Sequence, residues 1–270
     1  MTNLDMAWQQ IRRFDEMAAG KSMIHQLDTR AKLMVTFFYI FTVISYSKYD
    51  LLGLLPLVLY PVVLISLAEL PFGYLLGRLL IAAPFVLWVG IFNPLFDHSP
   101  LLQVGGMVVT GGWLSLMTLL VKFGFTGIAV LILIASSGMN AIGNALLKFR
   151  IPRVFVIQLL LMYRYLSVLI EEAGRSLRAY QLRKSEGQGV AYKVWGSLLG
   201  QLLLRTIDRA QRIYQAMLCR GFHGEIHFLG RKKAGIGEAI YLISWILFFI
   251  LARWLNIPAV LGRFLMGVGQ

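Results

Sequence analysis

The sequence has little charge and almost no cysteine, and each shortage excludes a class of protein. Charged residues make up 14% of the 270 positions while 58% are hydrophobic, which excludes an ordinary soluble domain. The one cysteine, Cys219, excludes an intrachain disulfide framework. Residues 1–30 are polar and charged, so we expect no cleavable signal peptide and assign targeting to the first apolar span. The composition predicts an integral membrane protein.

Acidic residues are also few, with 13 Asp and Glu against 26 Lys and Arg, and the net charge is +13. Residues 135–235 contain sixteen of the basic residues and five of the acidic ones, so this segment carries +11 of that charge. Because the basic residues lie between apolar runs, the excess indicates positive-inside topology and attraction to anionic lipid or an acidic partner, and not nucleic-acid binding. We therefore expect residues 135–235 to be cytoplasmic.

Five apolar runs predict an all-α fold with about five transmembrane helices. Basic residues before the first run place the N-terminus in the cytoplasm. The second run contains Pro56 and Pro61 and should form a kinked span, whereas Lys122 in the fourth run must face protein, water or the interface and not lipid. Residues 95–112 lack Lys and Arg, as expected of an external loop. The five predicted spans are residues 33–46, 51–68, 79–92, 113–135 and 239–255.

The runs and charges divide the chain into three segments. Residues 1–134 hold an N-terminal cytoplasmic segment and the first four transmembrane helices, residues 135–235 form a basic cytoplasmic module, and residues 236–270 hold the last transmembrane helix and a tail. Within the module, residues 154–170 are apolar enough to enter the bilayer. Arg164 and the short flanking loops favour a place at the membrane interface or against a partner.

The basic module contains two amphipathic helical patterns that each end on an arginine. Residues 154–183 lack proline and end at Arg183, and residues 195–220 end at Arg220, after which Gly221 supplies the stop. Capping of the helix macrodipole would explain an arginine in each last turn. Docking to a partner is the alternative, and the position of both ends in the most basic, membrane-adjacent part of the chain favours it.

A short motif near the N-terminus could indicate nucleotide binding, and we reject it. Gly20-Lys21-Ser22 resembles the end of a phosphate-binding loop, but Asp15 stands where the first glycine is needed and no strand precedes it. We assign any ATP hydrolysis to another subunit. The apolar spans also lack Ser-His-Asp arrangements and paired carboxylates, so we predict no catalytic residues, no cofactor and no transport by this chain alone.

A second motif could indicate a transition metal, and we reject it as well. Cys219, His223 and His227 are spaced by four, which would place three ligands on one face of a continuous helix. Gly221 and Gly224 break such a helix. We therefore predict no metal site.

Seven stretches in chain order match a known pattern, and residues 216–226 are the most specific of them. They are residues 25–33 (HQLDTRAKL), 92–96 (FNPLF), 152–160 (PRVFVIQLL), 163–165 (YRY), 171–173 (EEA), 204–211 (LRTIDRAQ) and 216–226 (AMLCRGFHGEI). Together they cover nearly the whole chain. The chain resembles the transmembrane T component of energy-coupling factor transporters, and most closely the CbiQ branch associated with cobalt and nickel uptake.

The resemblance implies which residues form the functional site. In that family two cytoplasmic coupling helices each end in an Ala-Arg-Gly-type motif, and each arginine docks in a groove of an ATPase subunit. At the first end the motif reads Leu182-Arg183-Lys184 and keeps only the arginine. The second end has cysteine in place of alanine, and the ATPase-coupling residues implied there are Ala216, Met217, Cys219, Arg220 and Gly221.

The resemblance also implies partners, location and mechanism. The partners are two ABC-type ATPase subunits (CbiO-like) and a substrate-binding membrane subunit (CbiM-like), with a small accessory membrane subunit (CbiN-like) as a further candidate. Closure of the ATPase dimer on ATP would shift the two helices and reorient the substrate-binding subunit. The location is the bacterial cytoplasmic (inner) membrane, and the substrate is cobalt, with nickel or a vitamin as alternatives.

Two other classes of protein provide rival interpretations. A membrane-embedded lipid-modifying enzyme should cluster acids or histidines at the interface, and only Glu171 and Glu172 come near; neighbouring residues point about 100° apart on a helix. A stand-alone metal permease should carry facing His, Asp or Met ligands in its spans. Saturable metal binding by the purified chain alone would favour the permease.

Overall fold

The computed structural model describes residues 3–97, 100–104, 107–183, 192–224 and 235–254. Within these ranges the chain is almost entirely helical, with one antiparallel hairpin. The helices are α1 (Asn3–Ala18), α2 (Met23–Gln26), α3 (Thr29–Ser45), α4 (Leu59–Leu67), α5 (Phe72–Gly90), α6 (Phe92–Phe96), α7 (Gly111–Ser137), α8 (Met139–Lys148), α9 (Arg153–Arg183), α10 (Tyr192–Cys219) and α11 (Ile236–Trp254), and a 3₁₀-helix covers Leu52–Val58. The strands are β1 (Pro100–Val104) and β2 (Met107–Thr110).

Four helical segments in the described ranges are long and apolar enough to cross a membrane, which confirms a multi-pass, all-α integral membrane protein. They are Phe72–Phe96, Gly111–Ser137, Arg153–Arg183 and Ile236–Trp254. Three of them contain predicted spans, and the remaining one is α9. The predicted first span lies in α3, whose 17 residues are at the lower end of the usual length for a membrane helix.

The predicted second span is a shorter apolar segment with a change of helix type. Leu52–Val58 forms a 3₁₀-helix that includes Pro56, and α4 follows directly. Proline has no N–H to donate, so the predicted kink takes the form of a tighter helix. Because a 3₁₀-helix rises about 2.0 Å per residue and an α-helix about 1.5 Å, the segment is about 28 Å long. That length approaches the hydrocarbon thickness of a bilayer, about 30 Å.

The β1–β2 hairpin lies in the predicted external loop, residues 95–112. Its strands pair antiparallel, with Gln103 opposite Val108 and Val104 opposite Met107. The sequence analysis predicted only an irregular loop here. A hairpin needs two short runs of strand-forming residues, and this loop has only one clear β-branched run, residues 108–110 (Val-Val-Thr).

The chain forms two compact units, which we name the core unit and the two-helix unit. The core unit lies within Met17–Gly138 and Lys232–Gln270. The two-helix unit, named for its long helices α9 and α10, lies within Met1–Glu16 and Met139–Arg231 and also contains α8 and most of α1. Each unit has its own set of buried side chains.

The centre of the core unit is an aromatic cluster between α3, α4 and α11. Tyr39 and Tyr60 are almost fully buried, and their rings stack with centroids 4.4 Å apart. Trp245 and Phe249 of α11 pack on the Tyr60 ring at 4.9 and 5.5 Å. The hydroxyl groups are satisfied, since Tyr39 donates to the Leu57 carbonyl oxygen at 3.2 Å. Buried tyrosines of this kind need such partners.

Two cations lie on the carbonyl end of α3. The Lys122 ammonium group donates to the carbonyl oxygen of Tyr46 at 2.6 Å, and the Arg253 guanidinium group donates to that of Ser45 at 3.1 Å. The last carbonyls of a helix lack partners within the helix and carry partial negative charge. Lys122 therefore faces protein, as the sequence analysis required of a lysine in an apolar span.

In the two-helix unit, the first half of α9 is the buried part. Val156, Ile157 and Leu160 have exposed fractions of 8% or less, and they pack toward α8. The Tyr163 hydroxyl group donates to the Asp15 carboxylate at 2.8 Å and fixes α1 to α9. The second half of α9 meets α10, and the predicted coupling residues lie on that pair.

Candidate functional site

The end of α10 is a Schellman motif, and its geometry presents Arg220. The N–H of Phe222 donates to the carbonyl oxygen of Met217, and that of Gly221 donates to Leu218, each at 3.0 Å. These two bonds define the motif, with Gly221 in the left-handed region at φ 79°. Only glycine adopts that conformation at low cost. The predicted stop at Gly221 is confirmed, and Arg220 is the last residue before the turn.

The predicted site residues at this end lie on the surface. Ala216, Cys219, Arg220 and Gly221 are exposed, and Met217 is partly buried. An exposed arginine beside an exposed glycine turn leaves its guanidinium group available to a partner. The assignment of these residues to contact with an ATPase stays a prediction.

The end of α9 is also exposed. The helix ends at Arg183, which is exposed, and Leu182 before it is 88% exposed. Because the Leu182 side chain is so exposed, no described side chain covers it. Lys184, the third residue of the weaker motif, lies outside the described residues.

Glu172 joins α9 to α10, a contact that the sequence analysis did not predict. Its carboxylate lies 2.9 Å from Arg175 on α9, and 3.0 and 3.6 Å from Arg205 and Arg209 on α10. The glutamate side chain is only 15% exposed. The spacing of Arg205 and Arg209 at i, i+4 indicated that both face the same side of α10. The sequence did not indicate which helix lies on that side.

An apolar cleft of about 850 Å³ separates the two helices beside this junction. On α9 it is lined by residues of the apolar first half, among them Ile157, Leu161 and Met162. On α10 it is lined by Ile213 and Met217, among others. The ion pairs hold the helices together at one place, and the cleft opens away from it.

The Gly20-Lys21-Ser22 motif positions the His25 side chain, and it does not form a phosphate-binding loop. Ser22 donates to Nδ1 of His25 at 2.7 Å, and Nε2 donates to the carbonyl oxygen of Met17 at 2.9 Å. A Cβ atom on Gly20 would lie 2.8 Å from the His25 ring, so the glycine permits this close approach. Burial, together with the charge of Lys32, lowers the pKa of His25. The lowered pKa favours the neutral ring, which fits both hydrogen bonds with the proton on Nε2.

The spacing of Cys219 and His223 forms no metal cluster. In the part of the chain that the structure describes, no group of three or more His, Cys, Asp or Glu side chains is placed to hold a metal ion. The turn at Gly221 separates Cys219 from His223. His227, the third residue of the spacing, lies outside the described residues.

The fold and the site define a multi-pass helical membrane protein whose distinctive surface is a pair of amphipathic helices with exposed arginine ends. The chain belongs to the CbiQ family, whose model, described as cobalt transport protein, matches residues 20–228. It is a transmembrane T component of the energy-coupling factor type, and a non-catalytic subunit. The alternative interpretation as a lipid-modifying enzyme is therefore wrong. Glu172, one of the two acidic residues considered for it, forms ion pairs with arginines.

Three similar proteins bear the name energy-coupling factor transporter transmembrane protein EcfT. The Bacillus subtilis protein is 26% identical over 264 residues, which covers 86% of this chain and 96% of the relative. That of Leuconostoc gelidum is 27% identical, covering 88% and 96%. That of Streptococcus thermophilus is 24% identical, covering 76% and 83%. The similarity therefore extends over most of each chain.

Proposed function

We propose that this chain is the coupling subunit of an ATP-driven cobalt importer. In this account α9 and α10 take up the movement of two ABC-type ATPase subunits (CbiO-like) and pass it to a substrate-binding membrane subunit (CbiM-like), with a CbiN-like accessory subunit. The observation that carries the proposal is the pair of exposed helix ends, Arg183 and Arg220, on two helices joined at Glu172. A contact between the two helices would let a displacement of one end be felt by the other.

Arginine suits the docking role for a physical reason. Its planar guanidinium group can bind a carboxylate or two carbonyl groups at two points, which a lysine ammonium group cannot do. At Arg220 the Schellman turn ends the helix abruptly, so the side chain projects beside a small residue, Gly221. A groove on a partner can approach such an end closely.

The topology in this account follows the charge distribution. Residues 1–134 would hold a cytoplasmic N-terminus and four spans, residues 135–235 the cytoplasmic coupling module, and residues 236–270 the last span and tail. The membrane would be the bacterial inner membrane, with the sixteen basic residues of 135–235 on its cytoplasmic side.

Docking at the end of α10 can be tested with the single native cysteine. Cys219 is exposed and adjoins Arg220, so its reaction with a maleimide reports on access to that end. We expect the ATPase subunits to slow the labelling of Cys219 in the purified complex. The control is Cys219→Ser combined with Ser197→Cys, which moves the thiol to an exposed position near the start of α10. Equal labelling of Cys219 with and without the ATPases would contradict docking there.

Cobalt as substrate is supported by the description of the matching family model, cobalt transport protein. Cells that express this chain with the companion subunits that co-purify from its native membrane should accumulate cobalt. If the cells accumulate nickel or a vitamin and no cobalt, the chain has the same coupling role in a transporter for that other substrate. Companions without an ATPase would contradict the role itself.

A further inference from the structure

The cleft between α9 and α10 has an apolar body and a cationic end. Among the described residues that line it, only Arg209 is charged. Arg209 lies where the two helices meet at Glu172, 3.6 Å from its carboxylate. The apolar lining residues are Val154, Ile157, Leu161, Met162, Val168, Leu169, Ile207, Ala210, Ile213, Met217 and Phe222. A matching ligand would combine an apolar chain with an anionic group.

The cationic end keeps an excess of positive charge. Arg175, Arg205 and Arg209 supply three positive charges against the one negative charge of Glu172, which leaves +2. The three arginine side chains are 57%, 59% and 39% exposed, so their guanidinium groups can reach a further anion. A phosphate group accepts such charge-assisted hydrogen bonds from arginine.

The apolar wall belongs to a helix that can lie at the membrane interface. The cleft is lined by the first half of α9, whose residues 154–170 are apolar enough to enter the bilayer from the cytoplasmic side. We propose that the cleft binds an anionic phospholipid, with an acyl chain along the apolar walls and the phosphate on Arg209 and Arg205. This binding requires a membrane and the helix pair, and it is independent of cobalt transport.

Two substitutions remove the two halves of the site separately. Ala210→Phe fills the cleft, because Ala210 lines it and is exposed, so the larger side chain has room in the fold. Arg209→Gln removes one cation and leaves Glu172 paired with Arg175 and Arg205. Matched controls are Gln215→Phe, exposed on the same helix and outside the lining, and Arg212→Gln, an exposed arginine of α10 that is outside both the lining and the Glu172 junction.

Native mass spectrometry of the purified full-length chain tests the proposal with phosphatidylglycerol and phosphatidylcholine of equal acyl chains. We expect the chain to retain phosphatidylglycerol in preference to phosphatidylcholine. Arg209→Gln should weaken that binding about fivefold, the effect of one basic residue near a lipid surface. Ala210→Phe should weaken it as well, and both controls should bind as the unmodified chain does. Equal retention of the two lipids, or no effect of either cleft substitution, would overturn the proposal.

The occupant in the native membrane can be captured with a photoreactive amino acid at Met162, which lines the cleft and is 60% exposed. We expect the product to be a phospholipid adduct of the chain. Glycerol 3-phosphate, which has the headgroup chemistry without acyl chains, should not suppress it. A product that contains only another polypeptide would show that a partner subunit fills the cleft, and it would overturn the proposal.

Discussion

At the scale of single residues, the end of α10 depends on one backbone conformation. Gly221 lies at φ 79° and makes one of the two hydrogen bonds that close the Schellman turn. Arg220 needs no ion pair to be placed, because the turn itself fixes where its main chain leaves the helix. The residue that we propose for docking is thus positioned by its neighbour.

Gly221→Ala should destabilise the protein by about 1 kcal/mol, because the left-handed conformation brings Cβ close to a carbonyl oxygen. The matched control is Gly196→Ala, in the interior of α10 with open space around it, and it should stabilise by about 0.5–1 kcal/mol. Equilibrium unfolding of the purified chain, followed by circular dichroism, measures both. If Gly221→Ala stabilises the protein instead, a Cβ atom at this left-handed position costs nothing and the prediction is wrong.

His25 makes stability depend on pH in a definite direction. Because burial lowers its pKa below the usual 6.5, the folded state favours the neutral ring more than the unfolded state does. The stabilisation is fully present above pH 6.5 and is lost as the pH falls through the folded-state pKa. His25→Gln should reduce the fall of the unfolding midpoint between about pH 8 and about pH 5. His223→Gln, at an exposed position, is the control, and an unchanged pH slope in His25→Gln would contradict the account.

At the scale of helices, Glu172 holds the functional pair together. One carboxylate meets guanidinium groups from both helices, at 2.9 Å on α9 and at 3.0 Å on α10. Because the acid is mostly buried and the arginines are partly exposed, the junction stabilises the pair modestly and sets where α9 and α10 meet. The cleft lies beside this junction, lined on α9 by residues that precede Glu172 and on α10 by residues that follow Arg205.

Glu172→Gln should loosen this junction, since three arginines would then lie together without a negative charge. The coupling energy between Glu172 and Arg205 should be about 0.2–1 kcal/mol, small because Arg205 is 59% exposed. A double-mutant cycle of Glu172→Gln and Arg205→Gln, followed by thermal unfolding, measures it. Glu171→Gln, at the exposed neighbouring position, is the control. If the two substitutions have additive effects on stability, Glu172 and Arg205 do not stabilise the contact between α9 and α10.

At the scale of the whole molecule, apolar run length predicted most of the fold. Residues 113–135 and 239–255 contain no proline and one basic residue each, and α7 and α11 lie close to those bounds. Pro56 signalled a break, but a break alone does not specify a 3₁₀-helix. Pairing across space could not be predicted, because the contact of Glu172 with Arg205 depends on how α9 and α10 meet. At the site, Arg220 and Gly221 were predictable because a helix stop is a local property.

The central claim is that the two arginine-ended helices transmit the work of ATP hydrolysis. The measurement that tests it most directly is the cobalt taken up per ATP hydrolysed by the complete complex in proteoliposomes, compared between the unmodified chain and Arg183→Ala/Arg220→Ala. We predict that the double substitution lowers this ratio strongly, with Arg220→Ala contributing more than Arg183→Ala. Membrane insertion of these variants should be normal. The control Arg212→Ala should leave the ratio of cobalt to ATP near that of the unmodified chain. An unchanged ratio in the double variant would contradict the account.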